Sequence, residues 1–410
     1  MKRLLFLCLI LACVCSSCDK DENYEYYNVA KPELMSKAEF RNSVEVLAPQ
    51  SIQQEGKIYA YNNYIFINDK FEGVHVLDNT NPQNPQSIAF IRIPGNEDVA
   101  VKDGYLYADS SIDLVVFDIS NISMIHEVAR LEDVFSVYDY QIPAEAEYAD
   151  FADFNSDESV IVGWEIVRER REINDDVVFI ETANGWDFTS SPGGSVGVGG
   201  SLARFQIVDD YLYTVGSNEM DIFDISNLST PSLSGNLYAG WNIETMFRSG
   251  DYLYLGSTNG MYIYDIENRL QPTYISEFTH WEGCDPVVVD GDYAYLTLRG
   301  GNLCGQELSV LEVIDISDKY YPTLVGQYIL DNPYGLGIKG NNLFVCDGTS
   351  GLKVFDKSNP LSLQQTQHFQ NAEGFDVIPL DNVLLMVGDD VLYQYDYTND
   401  SITLLSTYQL

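Results

Sequence analysis

A short apolar run that ends in aspartate recurs seven times along this chain of 410 residues. The first copy occupies residues 74–78 (VHVLD) and the last occupies residues 392–396 (LYQYD). Successive terminal aspartates are separated by 40, 106, 41, 50, 41 and 40 residues. A period of about 40–45 residues with several short strands in each unit is typical of a β-propeller blade. The seven aspartates are Asp78, Asp118, Asp224, Asp265, Asp315, Asp356 and Asp396.

A second apolar run lies upstream of each aspartate at a near-constant distance. It starts 13 or 14 residues before the aspartate in six copies and 22 residues before it in the fifth. Because only a shared strand-turn-strand geometry would preserve this offset, the fifth copy is predicted to carry a longer loop. Turn pairs such as Asp103-Gly104 precede the runs and suit tight hairpins. Prolines that suit an outer edge strand stand seven residues after four of the aspartates, namely Pro85, Pro231, Pro272 and Pro322.

The predicted fold class is all-β, a seven-bladed β-propeller of four-stranded antiparallel blades. In each blade we expect strand A to lie next to the central channel, B to hold the second run, C to end in aspartate and D to be outermost. The long gap between Asp118 and Asp224 predicts one insertion, residues 135–200, between blades two and three. The alternating aromatic and β-branched residues are predicted to be core, because blades pack face to face.

The repeated aspartate invites a catalytic interpretation. We reject it, because a residue present in every blade singles out no site. A carboxylate at the end of a strand can accept backbone N–H groups of the turn that follows. The residues after Asp118, Ile119-Ser120-Asn121, suit such a turn. We therefore predict that the seven aspartates cap the hairpins between strands C and D.

Two of the runs resemble a known repeat. Residues 114–121 (LVVFDISN) and 311–317 (LEVIDIS) are similar to the LVIVD repeat of bacterial and archaeal cell-surface proteins. The resemblance covers nearly all of residues 51–410 with one interruption, and the first and last copies are degenerate. It implies a propeller and a cell-surface location. It carries no agreed catalytic motif, so it transfers no functional residue.

The amino terminus has the pattern of a secretory signal. Two basic residues precede an apolar stretch, residues 4–14, which is too short to span a bilayer as a permanent helix. A cysteine directly after small residues at the end of such a stretch resembles a lipobox. We take Cys18 as the lipidated residue, with Cys13 as the competing assignment. The predicted signal peptide is residues 1–17.

The residues that follow Cys18 are acidic. Residues 19–22 (DKDE) are similar to the lipoprotein export signal of Bacteroidetes, which implies transport to the outer face of the outer membrane. An ordinary acidic spacer in a periplasmic lipoprotein is the alternative. Residues 18–45 are charged and show little periodicity, so they are predicted to form a flexible tether. The propeller is predicted to span residues 46–410.

The charge of the chain excludes several classes of partner. The net charge is −40, and removal of Lys2 and Arg3 with the signal leaves 20 basic residues against 62 acidic ones. Nucleic acid and anionic lipid surfaces repel such a protein, so the acyl anchor must supply membrane attachment. The sequence contains no EF-hand loop, His-Glu-x-x-His motif or Cys-x-x-Cys pair, and we predict no metal site or cofactor beyond weak surface calcium.

Three cysteines stay in the mature chain besides Cys18. In an oxidising envelope compartment, two of them are expected to form a disulfide. We predict a Cys284–Cys304 bridge, because both lie at the same end of blade five, and a free, partly buried Cys346. Three reduced thiols are the alternative.

One face of the propeller is predicted to carry the function. The D-to-A and B-to-C loops lie on one face, and the A-to-B and C-to-D turns lie on the other. The D-to-A and B-to-C loops contain the insertion, the extended loop 299–307 and all the tryptophans. We call the face that carries these loops the decorated face, and the opposite face the plain face. The tryptophans are Trp164, Trp186, Trp241 and Trp281.

The insertion is predicted to begin with a strand. Residues 159–168 are rich in β-branched residues and lead into a basic run, and residues 177–180 could pair with them as a hairpin. Residues 190–201, rich in glycine and serine, are predicted to be a loop. Two structures stay open, a lid over the channel mouth and an extra hairpin packed on blades two and three.

The innermost strands offer a candidate ligand ring at the channel mouth, in one of two registers. One register contains Lys57, Asp98, Arg204, Thr245, Pro286, Leu336 and Asp376, and the other contains Gly56, Glu97, Ala203, Glu244, Asp285, Gly335 and Phe375. Carboxylates beside tryptophan suit a glycan or a peptide side chain, while salt-bridged loop closure explains the same residues structurally. The candidate ligand residues are Asp98, Arg204, Trp241, Glu244, Trp281, Glu282, Asp285 and Asp376.

Three classes of function fit these observations. The first is a non-catalytic binding or scaffold module, monomeric and tethered to the cell surface, with a protein or glycan ligand. The second is a propeller hydrolase or lactonase that uses channel carboxylates, with or without calcium, an analogy at the level of fold alone. The third is a purely structural envelope protein. No Gly-x-Ser-x-Gly elbow accompanies the four scattered histidines, which disfavours a serine hydrolase.

Overall fold

A computed structural model describes residues 24–137, 142–143, 146–172, 196–279, 286–300, 308–398 and 401–410. Within these residues the chain forms six four-stranded sheets, one six-stranded sheet and one three-stranded sheet. The elements before the first blade are β1 (Tyr24–Ser36), α1 (Lys37–Asn42) and β2 (Glu45–Leu47). Blade one is built from β3 (Glu55–Tyr61), β4 (Tyr64–Asp69), β5 (Gly73–Asp78) and β6 (Gln86–Arg92). Blade two is built from β7 (Val99–Lys102), β8 (Tyr105–Ser110), β9 (Asp113–Asp118) and β10 (His126–Leu131), with a 3-10 turn at Ile122–Met124.

The insertion follows blade two, and five further blades follow the insertion. The insertion contributes β11 (Tyr148–Ala149), β12 (Ser159–Glu172) and β13 (Val198–Gly199). Blades three and four are β14 (Phe205–Val208), β15 (Tyr211–Val215), β16 (Glu219–Asp224), β17 (Ser232–Tyr238), β18 (Ile243–Ser249), β19 (Tyr252–Ser257), β20 (Gly260–Asp265) and β21 (Thr273–Thr279). Blades five to seven are β22 (Val287–Asp290), β23 (Tyr293–Leu298), β24 (Val310–Asp315), β25 (Thr323–Ile329), β26 (Leu336–Lys339), β27 (Asn342–Cys346), β28 (Leu352–Asp356), β29 (Gln364–Phe369), β30 (Asp376–Pro379), β31 (Val383–Gly388), β32 (Val391–Asp396) and β33 (Thr403–Gln409).

The seven-bladed prediction is confirmed, with strands A to D paired in chain order in every blade. The B and C strands are buried along almost their whole length, because both of their faces pack against neighbouring blades. The D strands are only half buried, as their position at the rim requires. In every blade the pairing of C with D shifts just before the terminal aspartate, and this repeated β-bulge adds local twist.

The predicted hairpin caps are present in all seven blades. Each terminal aspartate accepts, through Oδ1, the backbone N–H of the residue two positions on, at 2.7–2.9 Å. The hydrogen bonds lower the pKa of Asp118 and Asp315, where Ser120 and Ser317 also donate their hydroxyls. The aspartates are therefore structural, as the sequence predicts.

The ring closes without an exchanged strand among the described residues, because each blade is one contiguous segment. Blades one and seven meet through an apolar cluster that includes Ile58 and Leu385. Beside it, the amides of Asn79 and Gln394 exchange two hydrogen bonds of 3.0 and 2.8 Å. The Ser406 hydroxyl donates to the backbone carbonyl of blade one at Pro82. Side-chain contacts thus supply the closure.

The chain ahead of the propeller is folded from Tyr24 onward, where the sequence predicts a flexible tether over residues 18–45. β1 pairs along its whole length with β12 of the insertion, and β2 pairs with the outer strand β6 of blade one. Phe40 of α1 is fully buried beside Ile112 and Val160. The periodicity of β1 alone is weak, and its strand form depends on a partner more than a hundred residues away. None of the helices in the described part of the chain is long and apolar enough to cross a membrane.

The insertion has two parts with different positions. The predicted strand at residues 159–168 is present as β12, and its described partner is β1. The suggested hairpin partner, residues 177–180, lies outside the described residues. Ser111 of blade two donates to the carbonyl of Ile161 at 3.0 Å, so this part packs on the decorated face. The second part enters the central channel.

Residues 196–204 run through the channel from one face to the other. At the plain face, Val196 bridges Lys102 and the Gly197 N–H donates to the Val101 carbonyl at 2.8 Å. β13 then pairs with the channel edge of β3. Near the decorated face, the Ser201 hydroxyl accepts the N–H of Leu336 at 2.8 Å. We call residues 196–204 the channel segment.

Candidate functional site

A cavity of about 220 Å³ opens on the decorated face between blades two and three. Blade two contributes Glu97, Asp98 and Asp109 to its wall, and blade three contributes the ends of β15 and β16. The insertion supplies Phe135, Ile161 and Trp164. We call this space the blade 2–3 cavity. The cavity is therefore lined by blade two, by blade three and by the insertion, which is the longest segment added to the repeat.

Aromatic side chains form one side of the cavity. Trp164 packs edge-on against Phe151 of the insertion with ring centroids 5.8 Å apart. Phe135 contacts the rings of Phe205 and Phe223 at 6.2 and 5.9 Å. The insertion therefore anchors its own aromatics on blade three and presents them to the cavity. Aromatic walls with a few polar groups are typical of small-ligand sites.

Asp98 lies in the wall, but its oxygens are used inside the protein. The side chain is 2 % exposed and accepts Lys57 Nζ at 3.2 Å. It also accepts the backbone N–H groups of Arg204 and Phe205, and that of Val99 at 2.7 Å. Asp98 therefore holds the end of the channel segment against blades one and two.

Arg204 and Glu97 form an ion pair at the edge of the cavity. Arg204 Nη1 lies 3.0 Å from Glu97 Oε2, and Arg204 Nε donates to the carbonyl of Val215 at 2.9 Å. The guanidinium is largely buried, whereas the Glu97 side chain keeps 17 % exposure. The pair ties blade two to blade three beside the opening.

Asp109 carries a perturbed carboxyl group. It accepts the backbone N–H groups of Glu97 and Asp98 at 3.0 and 2.8 Å, and the amide of Asn96 at 2.7 Å. Its burial in the wall and the nearby negative charge of Glu97 raise its pKa to about 7. Equivalent aspartates cap the same loop in other blades, where Asp69 and Asp347 accept pairs of backbone N–H groups.

One row of side chains on blade three faces the cavity. Phe205, Thr214 and Asp221 are register partners on β14, β15 and β16, so their side chains lie on one face of the sheet. Asp221 accepts the Asn236 amide at 2.8 Å, and Glu219 accepts the same amide at 3.2 Å. The Thr214 hydroxyl is buried and makes no hydrogen bond to any described residue.

The predicted ring at the channel mouth is not an open site, because the channel segment fills it. Asp376 is fully buried, and its carboxyl oxygens make no hydrogen bond of good geometry within the described residues. Burial raises the pKa of Asp376 well above its usual range, although Lys57 and the backbone N–H groups of Val377 and Ser201 act in the opposite direction. Glu244 is also buried, at the start of β18.

The structure therefore separates the predicted ligand residues. Asp98 and Arg204 border the blade 2–3 cavity, whereas Glu244 and Asp376 lie around the filled channel. Trp241 is 55 % exposed on the loop between blades three and four and does not line the cavity. Cys346 is free and fully buried at the end of β27. The remaining predicted residues lie outside the described part of the chain: Cys18, Trp281, Glu282, Cys284, Asp285 and Cys304.

Sequence reasoning missed several cavity residues. Asp109 had a usable signal, since aspartates stand at the corresponding place in blades one and six, Asp69 at the end of β4 and Asp347 directly after β27. Thr214 and Asp221 had none, because a polar residue within a B or C strand has no marker of the blade face that it occupies. The structure also shows no group of three or more histidine, cysteine, aspartate or glutamate side chains arranged to hold a metal ion among the residues described.

Comparison with known proteins identifies the repeat and the fold. A family model described as LVIVD repeat matches residues 96–133, 199–238, 248–279, 284–329 and 335–369, which correspond to blades two to six. The first and last blades, whose repeats are degenerate, are not matched. Among curated proteins, no relative of this sequence is found.

Three solved structures illustrate the similarity of fold. A crystallised protein from Lactobacillus plantarum is 12 % identical, with a TM-score of 0.50 over 77 % of this chain and 84 % of that one. A chain of the mitotic checkpoint complex is 10 % identical, with a TM-score of 0.52 over 92 % and 93 %. The dihydro-heme d1 dehydrogenase NirN is 10 % identical, with a TM-score of 0.50 over 87 % and 68 %. At such identities the similarity concerns the fold alone.

Proposed function

Because this chain belongs to the LVIVD-repeat family, we propose that it is a membrane-anchored surface lipoprotein that acts as a non-catalytic binding module. In this proposal, residues 1–17 are the signal peptide and Cys18 carries the lipid. The acidic residues 19–22 direct the protein to the outer membrane, facing the cell exterior. The ligand is a glycan, a peptide or a protein loop.

The observation that carries the proposal is the position and lining of the blade 2–3 cavity. It lies on the decorated face, and the insertion provides Trp164 and Phe135 to its wall. Loops placed by a rigid scaffold are where binding residues concentrate. Among the described residues, the A-to-B and C-to-D turns of the other face are short.

Binding is tested with the detergent-solubilised lipoprotein on glycan and peptide arrays. We expect a hit that is lost in Trp164→Ala, because this change removes an aromatic wall of the cavity. Trp241→Ala is the matched control, since Trp241 is an exposed tryptophan on the same face but outside the cavity. A hit that depends on Trp241 and not on Trp164 would move the site away from the cavity.

The anchor is tested by metabolic labelling with an alkyne fatty acid. Label is expected on the wild-type protein and on Cys13→Ser, and none on Cys18→Ser. External protease on intact cells then tests orientation. Full protection in intact cells with cleavage after lysis contradicts an outward-facing protein.

A hydrolase that uses carboxylates is the second candidate, and one observation favours it. Asp109, with its pKa raised to about 7 beside Glu97, has the protonation behaviour of a general acid. Its three hydrogen bonds from Asn96, Glu97 and Asp98 instead indicate a structural cap. Turnover of an array hit that is abolished in Asp109→Asn would favour the hydrolase.

A further inference from the structure

We infer that the blade 2–3 cavity binds a positively charged group, an alkylammonium or guanidinium such as the end of a lysine or arginine side chain. This inference rests on the proposed binding function and names its ligand class. Three features of the cavity support it: the charge of its lining, its size and a buried hydroxyl.

The lining is strongly acidic. Among the described residues around the cavity there are five carboxylates and one guanidinium, that of Arg204. Arg204 is already paired with Glu97, and Asp98 is paired with Lys57. Because the pKa of Asp109 is raised to about 7, Glu219 and Asp221 supply most of the remaining negative charge. An anionic ligand would meet an unfavourable field here, whereas a cation would be attracted into it. The acidic side chains are Glu97, Asp98, Asp109, Glu219 and Asp221.

The size of the cavity restricts the ligand to one side-chain-sized group. Its volume of about 220 Å³ is below the range of roughly 300–1,000 Å³ that holds drug-sized molecules. Trp164, Phe135 and Phe205 border the same space. Aromatic faces attract ammonium and guanidinium groups and also cover the aliphatic stem of lysine or arginine. The walls therefore suit both parts of such a side chain.

A buried hydroxyl provides an independent sign of a ligand. Thr214 is 1 % exposed, lines the cavity and shares a sheet face with Asp221. Its hydroxyl makes no hydrogen bond to the described residues. A buried polar group without a partner is costly, and a cation that donates to it removes that cost. Thr214 and Asp221 thus offer two neighbouring acceptors.

The test measures binding of five probes by calorimetry and NMR. Nα-acetyl-lysine amide is compared with Nα-acetyl-norleucine amide, which lacks the ammonium group, and with Nα-acetyl-glutamate amide, which carries the opposite charge. Nα-acetyl-arginine amide and N-acetylglucosamine complete the set. We expect the lysine and arginine probes to bind at least about ten-fold more tightly than norleucine, with no binding of glutamate. Raising the salt concentration should weaken the lysine probe selectively.

Variants then locate the interaction. Asp221→Asn keeps the shape of the wall and should weaken the lysine probe about ten-fold, and Thr214→Val should weaken it about five-fold. Glu165→Gln is the matched control, because Glu165 is an exposed carboxylate of the insertion outside the cavity. Should Asp221→Asn unfold, Glu219→Gln at the exposed rim serves the same purpose.

Several outcomes would overturn the inference. Equal binding of lysine and norleucine probes would do so, as would absence of lysine-probe binding at millimolar concentration or insensitivity to both carboxylate variants. If the glucosamine binds instead and depends on Trp164, the proposed binding function stands and only the ligand class is wrong. If the array hit itself does not depend on Trp164, the cavity is not the binding site.

Discussion

The channel segment is expected to stabilise the ring, and Gly197→Ala tests this. A Cβ at this position would lie 2.1 Å from Tyr59 Cε1 and 2.8 Å from the Ala60 carbonyl oxygen, contacts that the structure cannot hold. Tyr59 is buried and its hydroxyl accepts the N–H of Val101, so it has little freedom to move. The substitution should therefore displace the channel segment.

The magnitude follows from the hydrogen bonds that displacement would break. Besides the β13 ladder and the bonds of Arg204 at its end, the segment takes part in three hydrogen bonds, from Gly197 to Val101, from Leu336 to Ser201 and from Met246 to Ala203. At about 1 kcal/mol for each, the free energy of unfolding should fall by about 3 kcal/mol. For a chain of this size that corresponds to a decrease in Tm of about 4 °C.

The assay is thermal unfolding followed by circular dichroism. Gly326→Ala is the control, because a Cβ there meets Tyr328 and Val313 at ordinary distances of 3.4–3.5 Å. Thiol labelling gives a second measurement, in which Ser201→Cys should be protected in the folded protein and Glu165→Cys should react at once. A Gly197→Ala protein with wild-type Tm, or rapid labelling at position 201, would show that the channel segment does not fill the channel in solution.

Three further predictions concern single side chains of the blades. Burial raises the pKa of Asp376, so this residue lowers the stability of the fold once the pH exceeds the pKa of the same carboxyl in the unfolded chain. In thermal melts at a series of pH values, Asp376→Asn should be more stable than the wild type at pH about 8 and should lose that advantage near pH about 4. Hydrogen bonds from Ser317 lower the pKa of Asp315, so Asp315 stabilises the fold above the ordinary carboxyl pKa and loses this effect as the pH falls. Asp315→Ala should lower the free energy of unfolding by about 1 kcal/mol at pH about 7, and variant and wild type should become equally stable in acid. Gln394→Leu at the ring closure leaves the Asn79 amide without its partner and should cost about 1–3 kcal/mol in urea unfolding, and an unchanged midpoint would mean that the amide pair contributes nothing to closure.

The repeat allowed much of the fold to be predicted, because its signals are local. A strand of period two, a turn pair and an aspartate that bonds two residues ahead all operate within one blade. The same reasoning found Asp98 and Arg204 next to each other, since each precedes the A strand of its own blade. It placed both at the channel mouth; in the structure the channel segment lies there, and both residues border the blade 2–3 cavity.

The sequence by itself determined the seven blades, their strand order, the capping aspartates and the position of the insertion. Only the tertiary structure decided that β1 pairs with β12, that the channel segment occupies the ring and that Thr214, Asp221 and Trp164 meet around one cavity. These contacts join strand edges and loops that are distant along the chain. The backbone groups at a strand edge can pair with any segment that the folded ring places beside them. The local sequence pattern therefore does not predict which segment that is.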